Sequence, residues 1–285
     1  MYVAQYRPLT VRMVTRNEDG TAGNNTGDVT VTVLDASGAT VASGTAPNDG
    51  GNGTGAHAYT PPTSVTNTLG AYTVRFIYVL DGVTYRREVP YEVTGGHLFE
   101  IDELRSFDPA IADANSYTAA EIRDARDKAT DRLERAAQVA FSTRSKTVTL
   151  SGDGTPRLIL PDSLVQSVLT VEVDGDAVVD GFEVLPQGVL IRTDGGGWSA
   201  ASPQNVLVEY EHGYEVCPAP ASRAAMMLAI EYLVPSALPA RAMSQSTDLG
   251  EFRVSIANVD AGRSTGIPEV DAVIAEFGRR RPSVA

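Results

Sequence analysis

The hydrophobic and polar positions of this chain change period along its length. Over the first ~95 residues, apolar and polar side chains alternate, the period of a strand with one face on a core. "LTVRMV", "DVTVTVLD", "AYTVRFIYV" and "VTYRREVPYEV" each follow that pattern. Turn-forming clusters, "NEDG", "DASG" and "LDG", separate them. Asp81-Gly82, between two alternating runs, predicts a two-residue hairpin. "APNDGGNGTG" reads as a Gly/Asn-rich loop. Strands at this spacing predict an all-β, immunoglobulin-like sandwich over residues 1–95. Tyr72 in "LGAYTVRF" has two readings: a tyrosine corner at the start of a late strand, or a ring that simply faces the core.

The alternation stops at "TGGHLFEIDELRSFDPAI", which reads as a polar linker over 96–116. Helical spacing then takes over from Tyr117 to Phe141. "TAAE", Thr118 to Glu121, is a capping box. Ile122, Ala125, Ala129, Leu133, Ala136 and Ala140 recur every three or four residues, giving an alanine-rich stripe. The other face alternates acids and bases, as a solvated face or a subunit contact would. Residues 145–214 return to strand patterns, with Asp153-Gly154 and Asp174-Gly175 as hairpin turns. An apolar helix follows over 219–234, opened by Pro218 and Pro220, and its composition predicts burial. A short strand, "EFRVSIA", and a terminal helix from Pro268 to Phe277 complete residues 250–285. The fold class is α+β and multidomain: a β-sandwich, then a helical domain (117–285) with a β-rich insertion between its first two helices.

Composition narrows the function. The chain has 285 residues and a net charge of −13, so a broad grip on nucleic-acid phosphates is excluded. One cysteine, Cys217, allows no intrachain disulfide and fits a reducing compartment. The opening "MYVAQYRPLTVRM" has no leader pattern, and no apolar run reaches membrane-spanning length, so no membrane partner is expected. Arginine outnumbers lysine heavily, with only Lys128 and Lys146 present, as in GC-rich genomes.

Candidate chemistry is sparse. "VEYEHGYEVCPAPASRAAMML" places Glu211, His212, Glu215 and Cys217 together. A zinc site wants three or four ligands, mostly Cys and His, and only one of each is near. A Cys–His pair across Gly213 is conceivable, but a strand-to-helix corner explains His212, Gly213, Tyr214 and Cys217 with less. "GDG" and "DGD" lack the oxygen ligands of a calcium loop. "DGGGW" lacks the lysine and hydroxyl of a phosphate loop, and its Trp198 reads as closing an edge of the insertion. No GxSxG, HExxH or P-loop occurs. The expectation is a structural or binding protein rather than an enzyme, with no cofactor or metal.

Three phrases carry a resemblance: "SKTVTLSGDGTPRLILP", "VEYEHGYEVCPAPASRAAMMLAIEYL" and "STGIPEVDAVIAEFGRRRP". Together with the element order, they resemble head–tail connector (adaptor) proteins of long-tailed phages, over roughly Ile101 to Pro282. The resemblance implies a homo-oligomeric ring, usually a dodecamer, assembled in the host cytoplasm and residing in the virion neck. One side meets the portal protein, the other a stopper, tail terminator or other neck protein, and DNA passes through the centre. It implies that Tyr117–Phe141 and Ala219–Val234 form the ring body. Pro268–Ala285 would be the portal-facing tail, with Ile274, Phe277, Arg279, Arg280 and Arg281 as contacts. An acidic channel would repel passing phosphates. The front β domain departs from the family pattern and resembles immunoglobulin-like domains that decorate phage structural proteins. It also motivates an alternative: an adhesin or tail-associated binding module with a helical tether.

Overall fold

The fold is α+β. The architecture comes from a computed structural model that describes residues 1–17, 19–23, 29–49, 55–185, 187–234, 245–247, 250–252 and 265–278. The chain divides into two compact units.

The first unit comprises Met1–Gly96, with Arg144–Lys146 grouped to it. Its elements are β1 (Tyr2–Ala4), β2 (Val11–Val14), β3 (Val29–Leu34), β4 (Thr40–Ala46), β5 (Ala56–Tyr59), a one-turn helix α1 (Thr63–Thr66), β6 (Gly70–Leu80) and β7 (Val83–Thr94). One sheet runs β1-β7-β6-β3-β4, and β2 and β5 pair as a second. β1 runs parallel to β7, and the other pairs are antiparallel. The alternation explains the core directly. Val29, Val31 and Val33 of β3, with Tyr72, Val74, Phe76, Tyr78 and Leu80 of β6, all point inward. Asp81 (φ 51°) and Gly82 (φ 79°) join β6 to β7 as expected; positive φ at both positions matches the twist of the flanking strands. Tyr72 satisfies both of its readings, since its ring is buried and its hydroxyl donates to the Thr68 carbonyl at 3.2 Å. Residues 50–54 of the Gly/Asn-rich loop lie outside the described residues.

The second unit comprises His97–Thr143 and Thr147–Ala285. Residues 96–116 are more than a linker: α2 (Ile101–Phe107) and a 3-10 turn (Pro109–Ile111) form there. Glu103 accepts the Glu100 N–H at 2.6 Å and so caps α2. Leu98, Phe99, Leu104 and Ile111 are buried in the helical core, which is why this stretch orders. α3 (Ala119–Ala137) starts at the expected box, with Thr118 N–H donating to Glu121 at 2.8 Å. It stops at Gln138, whose φ of 57° breaks the helix, so Val139 to Phe141 continue into the core outside it.

The insertion forms two sheets. β8 (Arg144–Leu150), β10 (Val165–Val173), β11 (Asp176–Ala177) and β14 (Val206–His212) line up as β11-β10-β14-β8. β9 (Arg157–Ile159), β12 (Phe182–Leu185) and β13 (Val189–Arg192) line up as β12-β13-β9. Asp174-Gly175 turns the β10–β11 hairpin. Asp153-Gly154 does not join paired strands, because β8 and β9 belong to different sheets. Its Asp153 carboxylate instead accepts the Thr155 N–H (2.9 Å) and hydroxyl (2.6 Å). Trp198 is central rather than at an edge: it is fully buried, and its indole N–H donates to Pro156 O at 3.0 Å.

α4 (Ala219–Leu233) and α5 (Pro268–Phe277) close the helical core against α3. α4 buries a stripe of Ala221, Ala224, Ala225, Leu228 and Ala229, yet Tyr232 and Val234 are exposed and Met226, Met227 and Ile230 only half-buried. Its composition overstated its burial. β15 (Gln245–Thr247) and β16 (Gly250–Phe252) form a small antiparallel pair. "EFRVSIA" is described only at Glu251 and Phe252; its remaining residues lie outside the described ones.

Candidate functional site

The corner at His212–Cys217 is where the elements of the second unit meet. Gly213 adopts φ +102°, a conformation that disfavours any side chain. A Cβ there would also meet Ser142 O at 2.3 Å and the Ala140 Cβ at 3.0 Å. Glycine is therefore required on two counts. The backbone around it is tied on every side. Gly213 N–H donates to Leu164 O (3.0 Å) and Tyr214 N–H to Ala140 O (3.3 Å). Gln166 Nε2 donates to Gly213 O (2.8 Å), and Thr143 Oγ1 donates to Tyr214 O (3.3 Å).

Three aromatic rings lock the corner to the last helix. Tyr214 stacks on Phe141 with centroids 5.8 Å apart and an 8° tilt. Phe277 meets both edge-on at 6.2 Å. Such pairs contribute about 0.5–1.5 kcal/mol each beyond area burial. The corner thus fixes the end of α5, the point from which Arg279 to Arg281 depart.

The remaining candidates at the corner are His212 and Cys217. His212 is buried, with its ring 5.6 Å from that of Tyr210. Tyr210 donates its hydroxyl to Asp162, and burial raises its pKa. Cys217 packs against the helical core, and its Sγ contacts Pro218 O at 3.7 Å. Burial, and secondarily Glu134 and Glu103, push its thiol up to about 12, the opposite of what a nucleophile needs. Among the described residues, no group of three His, Cys, Asp or Glu side chains could hold a metal ion.

The proposed contact residues separate on inspection. Ile274 is 7% exposed and belongs to the helical core, so it is not available to a partner. Phe277 is half-buried and engaged with Phe141 and Tyr214. Arg279, Arg280 and Arg281 lie outside the described residues. No family model matches this chain, and no curated protein matches it in sequence.

The charged face of α3 holds two residues that pattern reading treats as solvated. Arg126 is 5% exposed and donates to Phe99 O at 3.3 Å; its Nη2 lies 3.0 Å from His97 Nε2, and Glu100 is 3.9 Å away. Arg132 reaches Glu231 of α4 at 2.8 Å and Thr265 O at 2.7 Å, bracing α3 against α4 and the approach to α5. The Arg132 contacts are 99 and 133 residues away in sequence, beyond any local signal. Lys128, paired with Asp124 at i,i+4, is the exposed ion pair that the pattern does predict. No helix among the described residues is long and apolar enough to cross a membrane.

Proposed function

We propose that this chain is a structural virion protein, a head–tail connector whose copies close into a ring between the portal and the next neck or tail protein. One observation carries the reading: the order α3, inserted sheets, α4, α5, with "VEYEHGYEVCPAP" forming the corner that anchors α5. The alanine seam between α3 and α4 makes a stiff helical body. Exposed Tyr232 near the end of α4 and Val234 just past it, with half-buried Met226, Met227 and Ile230, support side-by-side packing of copies. The net charge of −13 supports a lumen that DNA traverses without sticking.

The front unit supports an immunoglobulin-like reading. β2 and β5 face a sheet ordered β1-β7-β6-β3-β4, and Tyr72 at the start of β6 bonds the backbone four residues upstream. Its separate core also supports the second reading, an adhesin or tail-associated binding module.

Electron microscopy of purified particles, with light scattering of the chain mixed with portal, tests the first reading. A ring at the particle neck is expected. A chain that stays monomeric with portal and is absent from the neck refutes it. Deleting residues 1–96 separates the two readings: intact head–tail joining with lost host binding favours the second.

A further inference from the structure

Among the described residues, the second sheet of the front unit is the smaller one. It has two strands facing a sheet of five. β5 lies on the β4 side, where a Cβ at Gly44 would sit 3.0 Å from the Tyr59 ring. β2 therefore has its other edge toward β7. In an antiparallel ladder, residues alternate between those bonded to the partner and those whose N–H and C=O point away. Thr15 N–H donates to Gly55 O at 3.0 Å, and the register pairs Met13 with His57 and Val11 with Tyr59. Val11, Met13 and Thr15 thus face β5, and the N–H and C=O groups of Arg12 and Val14 face outward. Among the described residues, no strand pairs with β2 on that side.

A cleft of about 200 Å³ touches β2, lined by its Arg12, Met13 and Val14, by Ala56 of β5, and by Arg16 and Arg87. Arg87 stands opposite buried Phe76 in the β6–β7 ladder, so it is on the inward face of its sheet, yet it is exposed. It overhangs the place that a third strand would fill. Arg12 gives Nε to Asp49 at 3.3 Å, in a pair whose side chains are 62% and 28% exposed, and Arg16 gives Nη1 to Gly20 O at 2.6 Å. Both keep further guanidinium donors. Three of the six arginines in residues 1–96 gather at this one edge of an acidic protein.

We propose that the edge of β2 left unpaired among the described strands is a docking site for an extended acidic segment of a partner protein. The segment adds as a strand: its main chain bonds Arg12 and Val14, and its carboxylates meet Arg12, Arg16 and Arg87. Arg12 and Arg16 are two strand repeats apart, on one face. The preferred ligand therefore carries acidic residues four apart, about 13 Å along an extended chain. This proposal does not depend on the ring.

The test is fluorescence anisotropy of the full chain with a short labelled peptide alternating glutamate and valine. Controls are its glutamine counterpart, a version N-methylated at the ladder positions, and an oligothymidylate. Binding by the glutamate peptide is expected, at least ~10-fold weaker with glutamine and lost on N-methylation. Val14→Pro removes an outward N–H while sparing the ladder to β5, and should weaken binding about tenfold. The double variant Arg16→Glu/Arg87→Glu, at two exposed positions, provides a second reading should the proline disturb folding. No binding by the glutamate peptide overturns the proposal. So does unchanged binding with N-methylated backbone or reversed charges, and so does displacement by oligothymidylate at equal concentration.

Discussion

The two units bury different kinds of side chain. The front core is built from large and β-branched residues, among them Val29, Val31, Val33, Phe76, Tyr78 and Leu80. The helical core of the second unit interleaves Ala125, Ala129, Ala225 and Ala229 with a few large anchors such as Leu133, Phe141 and Leu228. A sheet face keeps its neighbour about 10 Å away and must fill that gap with bulk. Two helices with small residues between them approach closely and gain from backbone proximity. One core therefore fails when atoms are removed, and the other when they are added.

The largest effects come from breaking that contrast. Phe76→Ala in the front unit should cost about 3–5 kcal/mol in urea denaturation followed by tyrosine fluorescence, the usual price of emptying a packed aromatic site. Gly213→Ala should cost about 2–4 kcal/mol in the same experiment, since positive φ and the Ser142 carbonyl both oppose a methyl. Ala129→Leu on α3 should lose about 1–3 kcal/mol by overpacking, although it adds apolar surface. A stabilising result there would show that the seam has slack. Thr118→Ala should cost about 1 kcal/mol, the worth of one N-cap.

The last effect is chemical. The Cys217 thiol is raised to about 12, so native protein at pH 8 should react far more slowly with a disulfide reagent than unfolded protein does. Because the folded value lies above the ordinary 9.0, the neutral thiol's contribution is fully present below pH 9. It is lost as pH rises through 9 toward 12, which a denaturation series over that window would follow.

Local signals were legible, and long-range ones were not. Val–Thr alternation, "TAAE" and Asp81-Gly82 act within a few residues, and each forms the element that its pattern predicts. α2 escaped notice because seven residues span barely two helical turns, too few for a period to show. Asp153-Gly154 has hairpin chemistry, but its flanking strands found partners in different sheets. At the corner, the sequence showed the turn and its glycine, since Gly213 and two prolines interrupt apolar runs. The stacking of Tyr214, Phe141 and Phe277, and the burial of Ile274, depend on residues that meet only after folding.

The placement of β14 beside β8 has a kinetic meaning. α3 ends at Ala137 and α4 begins at Ala219, so the helical core depends on a distant partner. Closing a floppy chain of that length is slow, and each doubling adds only about 0.6 kcal/mol to an already unfavourable entropy. An insertion that folded early around Trp198 would remove that delay. Its first and last strands leave side by side, delivering Thr143 and Gly213 to one spot and reducing the effective loop to a few residues. On a ribosome α3 would emerge first, and the inserted sheets would act as a clasp that brings its end to α4.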